Sequence, residues 1–407
     1  MRSRYLQLVV GGLWLLVVAA ISTGESTRYT GPSLPVDAAF FGMHIHHAAD
    51  DTVWPAIPFA DWRLWDAGVS WPQLEPAPGK WNFTLLDRYA QLAANRHVEI
   101  LLTLGLTPTW ASARPDEPSA YRNGNAAEPR RLSDWEDYVR TIATRYKGAI
   151  HSYEIWNEVD VKGTFTGNTQ TMLELSRSAY RILKSIDPTV IVVSPSATTA
   201  DGLPWLEAFL QQGGCQFADV IGYHFYVTPH PPEEMIALIQ QVKTSLRHHG
   251  CENKPLWNTE SGWAKPTQFT SEEEAAGYLM RTYLLNWLMG IRRCYWYAWD
   301  NHNWSTLELT SPESTRMTRV GAAYGVLHGW VDQAVLHSCQ RGRSGIWACQ
   351  LDRAGSTSRV LWSDRGEQPF AIPSSWHVVR ISTWTGGTIP TTPQLTLGPA
   401  PLLLTGN

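Results

Sequence analysis

From about residue 38 to residue 330 the chain alternates short apolar runs with longer stretches in which apolar residues recur at helical spacing. That alternation predicts repeated strand–helix units and a parallel α/β architecture. Eight segments read as strands: FFGMHIH, WRLWDAGVSW, VEILLTLG, HSYEIWNE, VIVVSPSA, VIGYHFYV, PLWNTESGW and CYWYAWD. The amphipathic stretches between them predict helices over residues 85–95, 133–146, 171–186, 233–248 and 271–289, with a weakly coded first helix around 56–60. Ser133 ahead of Glu136, and Ser271 ahead of Glu274, have the form of capping boxes. Eight βα units over this length fit a (β/α)8 TIM barrel. A doubly wound open sheet is the alternative, but no glycine-rich phosphate loop follows the first strand.

After about residue 331 the helical period disappears. VLWSDRG, WHVVRISTWTGG and APLLLTG are short strands broken by Gly, Pro and Ser turns, which predicts a small C-terminal antiparallel β domain packed on the barrel. At the other end Arg2 and Arg4 precede an apolar run over residues 6–21 followed by small residues, the layout of a secretory signal peptide. An uncleaved membrane anchor is the alternative reading of that run. The predicted map is a signal peptide over 1–24, a barrel over 36–330 and a β-sandwich-like unit over 331–407, in a secreted or periplasmic protein.

Composition changes this picture in two ways. A formal charge of −4 without any Lys/Arg run argues against a nucleic-acid partner. The chain also holds 21 Trp against 10 Phe, more flat apolar rings than a core of this size requires, and such rings can serve as platforms for sugars. Export makes the five cysteines legible as disulfide partners. Cys339 and Cys349 flank a hairpin-like segment, Cys215 and Cys251 each lie between a helical pattern and the next strand, and Cys294 is left as a buried thiol. None has the spacing of a zinc site, so neither a metal nor another cofactor is expected.

The candidate chemistry begins in HSYEIWNEVD, a core strand that carries both Glu154 and Glu158. In a parallel barrel the chemistry sits where the strands end. On an extended strand the two glutamates share a face but lie roughly 13 Å apart. Glu158 is then at the mouth and Glu154 is deep, where it needs a counter-charge such as Arg63. Three strands later PLWNTESGW supplies Glu260 at the corresponding position. Paired carboxyls at a barrel mouth are the requirement of glycoside hydrolysis.

EIWNE followed by NTESGW resembles the signature of the retaining glycoside hydrolases of clan A, with families 39 and 5 the nearest. The resemblance implies Glu158 as general acid/base, Glu260 as nucleophile and Asn157 as a hydrogen-bonding partner of the sugar 2-hydroxyl. It further implies His224 as a subsite or relay residue, Tyr226 as a donor to the nucleophile, Arg63 as the cation that keeps the nucleophile ionised, and Trp299 as the platform beneath the reacting sugar. Glu260 is then expected to have a lowered pKa and Glu158 a raised one. Val159 and Asp160 stand where the family continues with Pro, and Asp160 reads as a loop or subsite residue. His44, His46 and His47 read as sugar-binding or structural rather than metal-binding. The implied partner is an oligo- or polysaccharide. A catalytically inactive carbohydrate-binding barrel and a metal-dependent barrel hydrolase are the alternatives.

Overall fold

A computed structural model describes residues 26–32, 34–50 and 52–406; the predicted signal segment lies outside the described residues. Eight parallel strands form the barrel. In order they are Phe41–His44, Asp61–Leu64, Glu99–Leu104, Ser152–Ile155, a fifth broken into Ile191–Val193 and Ala197–Thr198, then Ile221–His224, Leu256–Ser261 and Cys294–Trp296. The eighth pairs in parallel with the first. The fifth meets the sixth through Val193 opposite Val220 and Ala197 opposite Tyr223, which closes the ring and excludes the open sheet.

Burial on both faces explains why the barrel strands read as nearly continuous apolar runs. Their outward residues, among them Trp62, Leu64, Leu102 and Ile155, join the main core beneath the helices. Leu101, Val193, Val220, Trp257 and Tyr295 make a separate apolar cluster. Two glycines allow close approaches in the barrel. A Cβ on Gly42 would lie 2.4 Å from the Tyr295 ring, and one on Gly222 would lie 2.7 Å from Ser196 Oγ.

The predicted helices are present as Thr84–Arg96, Leu132–Arg145, Thr169–Ile186, Met235–His248 and Glu272–Leu288. The helix expected around 56–60 is absent; that stretch is irregular and holds Pro55 and Pro58, each of which removes a backbone donor. Three helices escaped the pattern, one of them the single turn Trp71–Leu74 at the end of a segment read as strand. Leu203–Gln211 is short and mostly apolar, and Arg319–Val331 contains Gly321, Gly325 and Gly329 in place of large periodic residues. The cap at Ser271 forms, its side chain accepting from Glu274 N at 3.1 Å, while the Glu274 carboxylate reaches back to Thr270 N at 2.8 Å. The Ser133 box does not form: the helix starts at Leu132 and places Ser133 inside its first turn.

The C-terminal region is an antiparallel seven-stranded sheet faced by the two-stranded pair Gln368–Ala371 and Gln394–Leu397. Its core is Leu361, Ile381, Leu395, Leu397 and Leu404. The segment Thr27–Thr30, which precedes the barrel in sequence, pairs with Val335–Arg341 at the edge of this sheet. Trp362 Nε1 donates to Glu233 Oε1 at 3.0 Å, and Gly277 packs against the Pro399 carbonyl, so the sheet is held against the barrel helices. Disulfides join Cys215 to Cys251 and Cys339 to Cys349, and Cys294 is a buried thiol. No helix among the described residues is long and apolar enough to cross a membrane.

Candidate active site

Arg63, on the second barrel strand, is the centre of the polar interior and is fully buried. Its Nε donates to Glu154 Oε2 at 2.6 Å, its Nη1 to Glu260 Oε2 at 2.7 Å, and its Nη2 to Asn157 Oδ1 at 2.7 Å. The sequence left two partners competing for this cation, and the planar guanidinium reaches both with separate nitrogens. Glu154 also accepts from Thr103 Oγ1 at 2.8 Å and from Ser196 Oγ. Burial alone would raise the Glu154 pKa, but Arg63, with His224, Ser196 and Thr103, brings it below the usual value. Glu154 is thus a buried, ionised carboxylate with both oxygens engaged.

Glu158 reaches the same cluster by a different route from the one its spacing suggests. The fourth strand ends at Ile155, and both Trp156 (φ 65°) and Glu158 (φ 46°) are left-handed, a conformation costly for residues with a Cβ. Parity and the 3.3 Å rise therefore stop applying before Glu158. Contacts on both sides hold the turn: Trp156 N donates to Leu104 O, Val159 N to Ser196 O, and Trp156 Nε1 to Thr164 O. Asp160 ties it to the fifth strand, its Oδ1 accepting from Thr198 N at 3.0 Å, and burial raises its carboxyl to about 6. The Glu158 side chain ends 22% exposed, with Oε1 3.2 Å from His224 Nδ1.

Glu260 stands on the seventh strand, whose pairing slips by one residue against both neighbours around Thr259. Such a bulge re-aims side chains. Here Glu260 is opposite His224 and only 6% exposed. Tyr226 Oη donates to its Oε1 at 2.9 Å while Arg63 takes Oε2. Burial and the charge of Glu260 hold the Tyr226 phenol far above its ordinary pKa, so it remains a donor. Burial also lowers His224 to about 4, leaving that ring neutral at pH 7.

Burial raises both Glu158 and Glu260 to about 7, in each case against the pull of Arg63. The expectation of a lowered Glu260 is therefore corrected: desolvation outweighs its two donors. Glu260 accepts hydrogen bonds on both oxygens, from Arg63 and Tyr226, whereas Glu158 faces the neutral His224 ring and has its pKa drawn down by Arg63 and Thr198.

The remaining predicted residues separate. Trp299 is 1% exposed, with its indole donating to Val53 O at 2.7 Å. A ring so covered has no free face for a sugar, and this placement corrects the platform reading. Of the Trp residues near the mouth, Trp62, Trp65, Trp71 and Trp263 are buried, whereas Trp304 is 38% exposed and packs edge-on to both Tyr226 and Tyr297. His44 and His46 are buried beside Tyr297, and His47 carries a 62% exposed side chain, so the three do not converge. Among the described residues Glu158, His224 and Glu260 offer atoms within 4.8 Å of one another, close enough to consider for a cation. Arg63 already supplies positive charge at that point. Sequence reasoning missed Asp66, Tyr121 and Tyr297. Asp66 accepts from Tyr121 Oη and from Tyr297 Oη, both at 2.8 Å. Asp66 and Tyr297 each fall inside a segment that reads as strand, and Tyr121 falls outside every predicted element.

A closed parallel barrel with two neighbouring carboxyls and an arginine at its mouth has the architecture of a clan A glycoside hydrolase. The family profile described as "Glycosyl hydrolase catalytic core" matches residues 131–324, and that of "Glycosyl hydrolase family 10" matches residues 66–180. Among solved structures, a family 39 glycoside hydrolase from Bacteroides cellulosilyticus WH2 superposes with a TM-score of 0.71 at 19% identity, over 92% of this chain and 81% of that one. A family 39 β-xylosidase from Caulobacter crescentus gives 0.65 at 15% identity, over 92% and 97%. A family 30 endoxylanase from Clostridium papyrosolvens C71 gives 0.63 at 13% identity, over 93% and 98%. At these identities the likeness establishes the fold. The endo-1,4-β-xylanase C of Paenibacillus barcinonensis is 23% identical over 205 residues, which is 42% of this chain and 17% of that protein. The chain resembles clan A glycoside hydrolases, family 39 in particular.

Proposed function

We propose that the protein is a retaining glycosidase acting on β-linked oligo- or polysaccharides by double displacement. The observation that carries this reading is the asymmetry between two neighbouring carboxyls. Glu260 is held on both oxygens by Arg63 and Tyr226, and Glu158 is left to carry the proton. Atoms of the two within 4.8 Å of each other support the retaining arrangement, in which the carboxyls lie about 5–5.5 Å apart, over the wider inverting one.

In the first step Glu158 gives its proton to the glycosidic oxygen, and a Glu260 oxygen attacks the anomeric carbon. The leaving alcohol departs and a glycosyl ester forms on Glu260. The negative charge near Glu158 is thereby removed, its pKa falls, and as a carboxylate it takes a proton from water. That water attacks the anomeric carbon, the ester bond breaks, and Glu260 is released as carboxylate. Asn157, whose Oδ1 is held by Arg63, offers its amide nitrogen to the 2-hydroxyl. His224 orients Glu158. Trp304 replaces Trp299 as the exposed ring available to a sugar.

The wider reading is an exported protein: a signal peptide over 1–24, a catalytic barrel over 36–330 and a β-sandwich-like unit over 331–407. Two disulfides support an oxidising destination outside the cytosol or in a periplasm. The xylanases and xylosidases among the similar proteins make β-xylosides the first substrates to try.

Proton NMR of a β-xyloside or β-glucoside digest should show the β-anomer appearing before mutarotation. The α-anomer as first product overturns the double displacement. Glu260→Ala should lower kcat by about 10⁴-fold or more, with sugar binding retained; unchanged turnover removes Glu260 from the chemistry.

A further inference from the structure

Asp66 lies just after the second barrel strand, in left-handed backbone with φ 57°. It is an exposed carboxylate whose partners are the phenols of Tyr121 and Tyr297, neutral donors rather than a cation. A carboxylate offers about four lone-pair positions, so two phenols leave roughly half of its accepting capacity free. With Trp65, Gln73, Leu106 and Tyr121 it lines a cavity of about 180 Å³, so its outer side is reachable. Tyr297, one of its two donors, packs edge-on to Trp304, which packs edge-on to Tyr226, the donor to Glu260, so Asp66 stands at the same mouth as the carboxyl pair. A second feature here calls for a ligand. His46 is 4% exposed and packs on Tyr297 with ring centres 4.9 Å apart, yet its Nε2 has no hydrogen-bond partner in the protein.

We infer that Asp66 is a specificity residue of this site, accepting hydroxyl hydrogen bonds from an uncharged sugar and excluding sugars that bear a carboxylate. The two phenols aim the carboxylate without neutralising it. The nearby cation, Arg63, gives its single charge to Glu154 and Glu260 and has none to spare for a uronate. A uronic acid carboxylate brought to this mouth therefore meets like charge in a partly desolvated setting, where repulsion at a few ångströms is worth on the order of 10- to 100-fold in affinity. The inference rests on the carbohydrate-directed reading of the site, and its test is built to fail separately.

The test uses Asp66→Asn, because Asn tolerates left-handed backbone and keeps an oxygen for one phenol. Binding of methyl β-xyloside, methyl β-glucoside and methyl β-glucuronide is measured by ligand-observed NMR on wild type and variant, with kcat/KM for the matching aryl glycosides in parallel. Wild type should bind an uncharged sugar and reject the glucuronide, and D66N should narrow that ratio at least about tenfold, chiefly through KM. Tyr121→Phe, which keeps the charge, should leave the preference in place. A wild type that takes the glucuronide as well as the glucoside overturns the inference, and so does an unchanged ratio in D66N or no sugar binding in either protein. Binding with the predicted preference but no turnover strikes the hydrolase reading alone.

Discussion

The barrel mouth and the C-terminal sheet are built on opposite principles. Around Arg63 the molecule buries Glu154 and Glu260, groups that are expensive to desolvate and that persist because each is tied to the guanidinium, with the neutral His44 and His224 rings beside them. The C-terminal sheet buries leucine and isoleucine, and its strand Ile346–Arg353 alternates covered and less covered positions in the ordinary way of a half-buried strand. Polar burial in the first region limits stability and creates reactive groups; apolar burial in the second contributes stability and no chemistry. A substitution should therefore change activity and stability together at the mouth, and stability alone in the sheet.

The largest effect should come from Arg63→Met. Glu154 is left as a buried carboxylate without its counter-charge and Glu260 loses one of its two donors, so we expect a loss of about 3–5 kcal/mol in denaturant unfolding together with a collapse of kcat. A variant that is as stable as wild type would remove Arg63 from the centre of the site. Next, Leu404→Ala in the sheet core, at a residue 1% exposed, should cost about 2–5 kcal/mol while leaving kcat/KM within about twofold below the melting range. A proportionate loss of kcat would show that the two regions are not separable in the way proposed here.

The smallest effect is the most diagnostic. Glu158 has a folded-state pKa raised from 4.5 to about 7, so the folded protein prefers its neutral form. The stability it contributes is complete below about pH 4.5 and is lost as the pH rises through about 7. Glu158→Gln, permanently neutral, should therefore raise stability by about 1–3 kcal/mol at pH 8 and by little at pH 4. Thermal melts at the two pH values read the difference, and an equal shift at both would deny the raised pKa. In the wild type the same titration should make kcat/KM fall as the pH rises above about 7, because the acid is then lost.

Much of this was legible in the chain. The eight strand segments, five of the helices, both disulfides and the buried thiol at Cys294 follow from apolar runs, helical spacing and cysteine position, because each is a local property or a pairing across a short stretch. Glu158 and Glu260 stood out because carboxylates are anomalous at the ends of core strands. The misses have a shared cause. Trp299 and the parity argument for Glu158 both assumed regular strand beyond the point where the backbone turns left-handed or loops away. The helix at 203–211 is only nine residues long, and the one at 319–331 has Gly, Ala, Val and Trp rather than charged residues opposite its buried stripe, so neither shows a clear contrast of polar and apolar faces.

Sequence by itself determined the barrel period, the two carboxyls and their family resemblance, because hydrophobic spacing and residue type record which side of an element is buried. Tertiary structure alone decided how those carboxyls differ. That Arg63 holds Glu154, Asn157 and Glu260 together, that a bulge at Thr259 sets Glu260 opposite His224, and that Asp66 meets two tyrosines from distant loops are contacts between strands far apart in sequence. The proton that we propose Glu158 to carry depends on desolvation and on distances of a few ångströms. Those quantities exist only once the barrel closes.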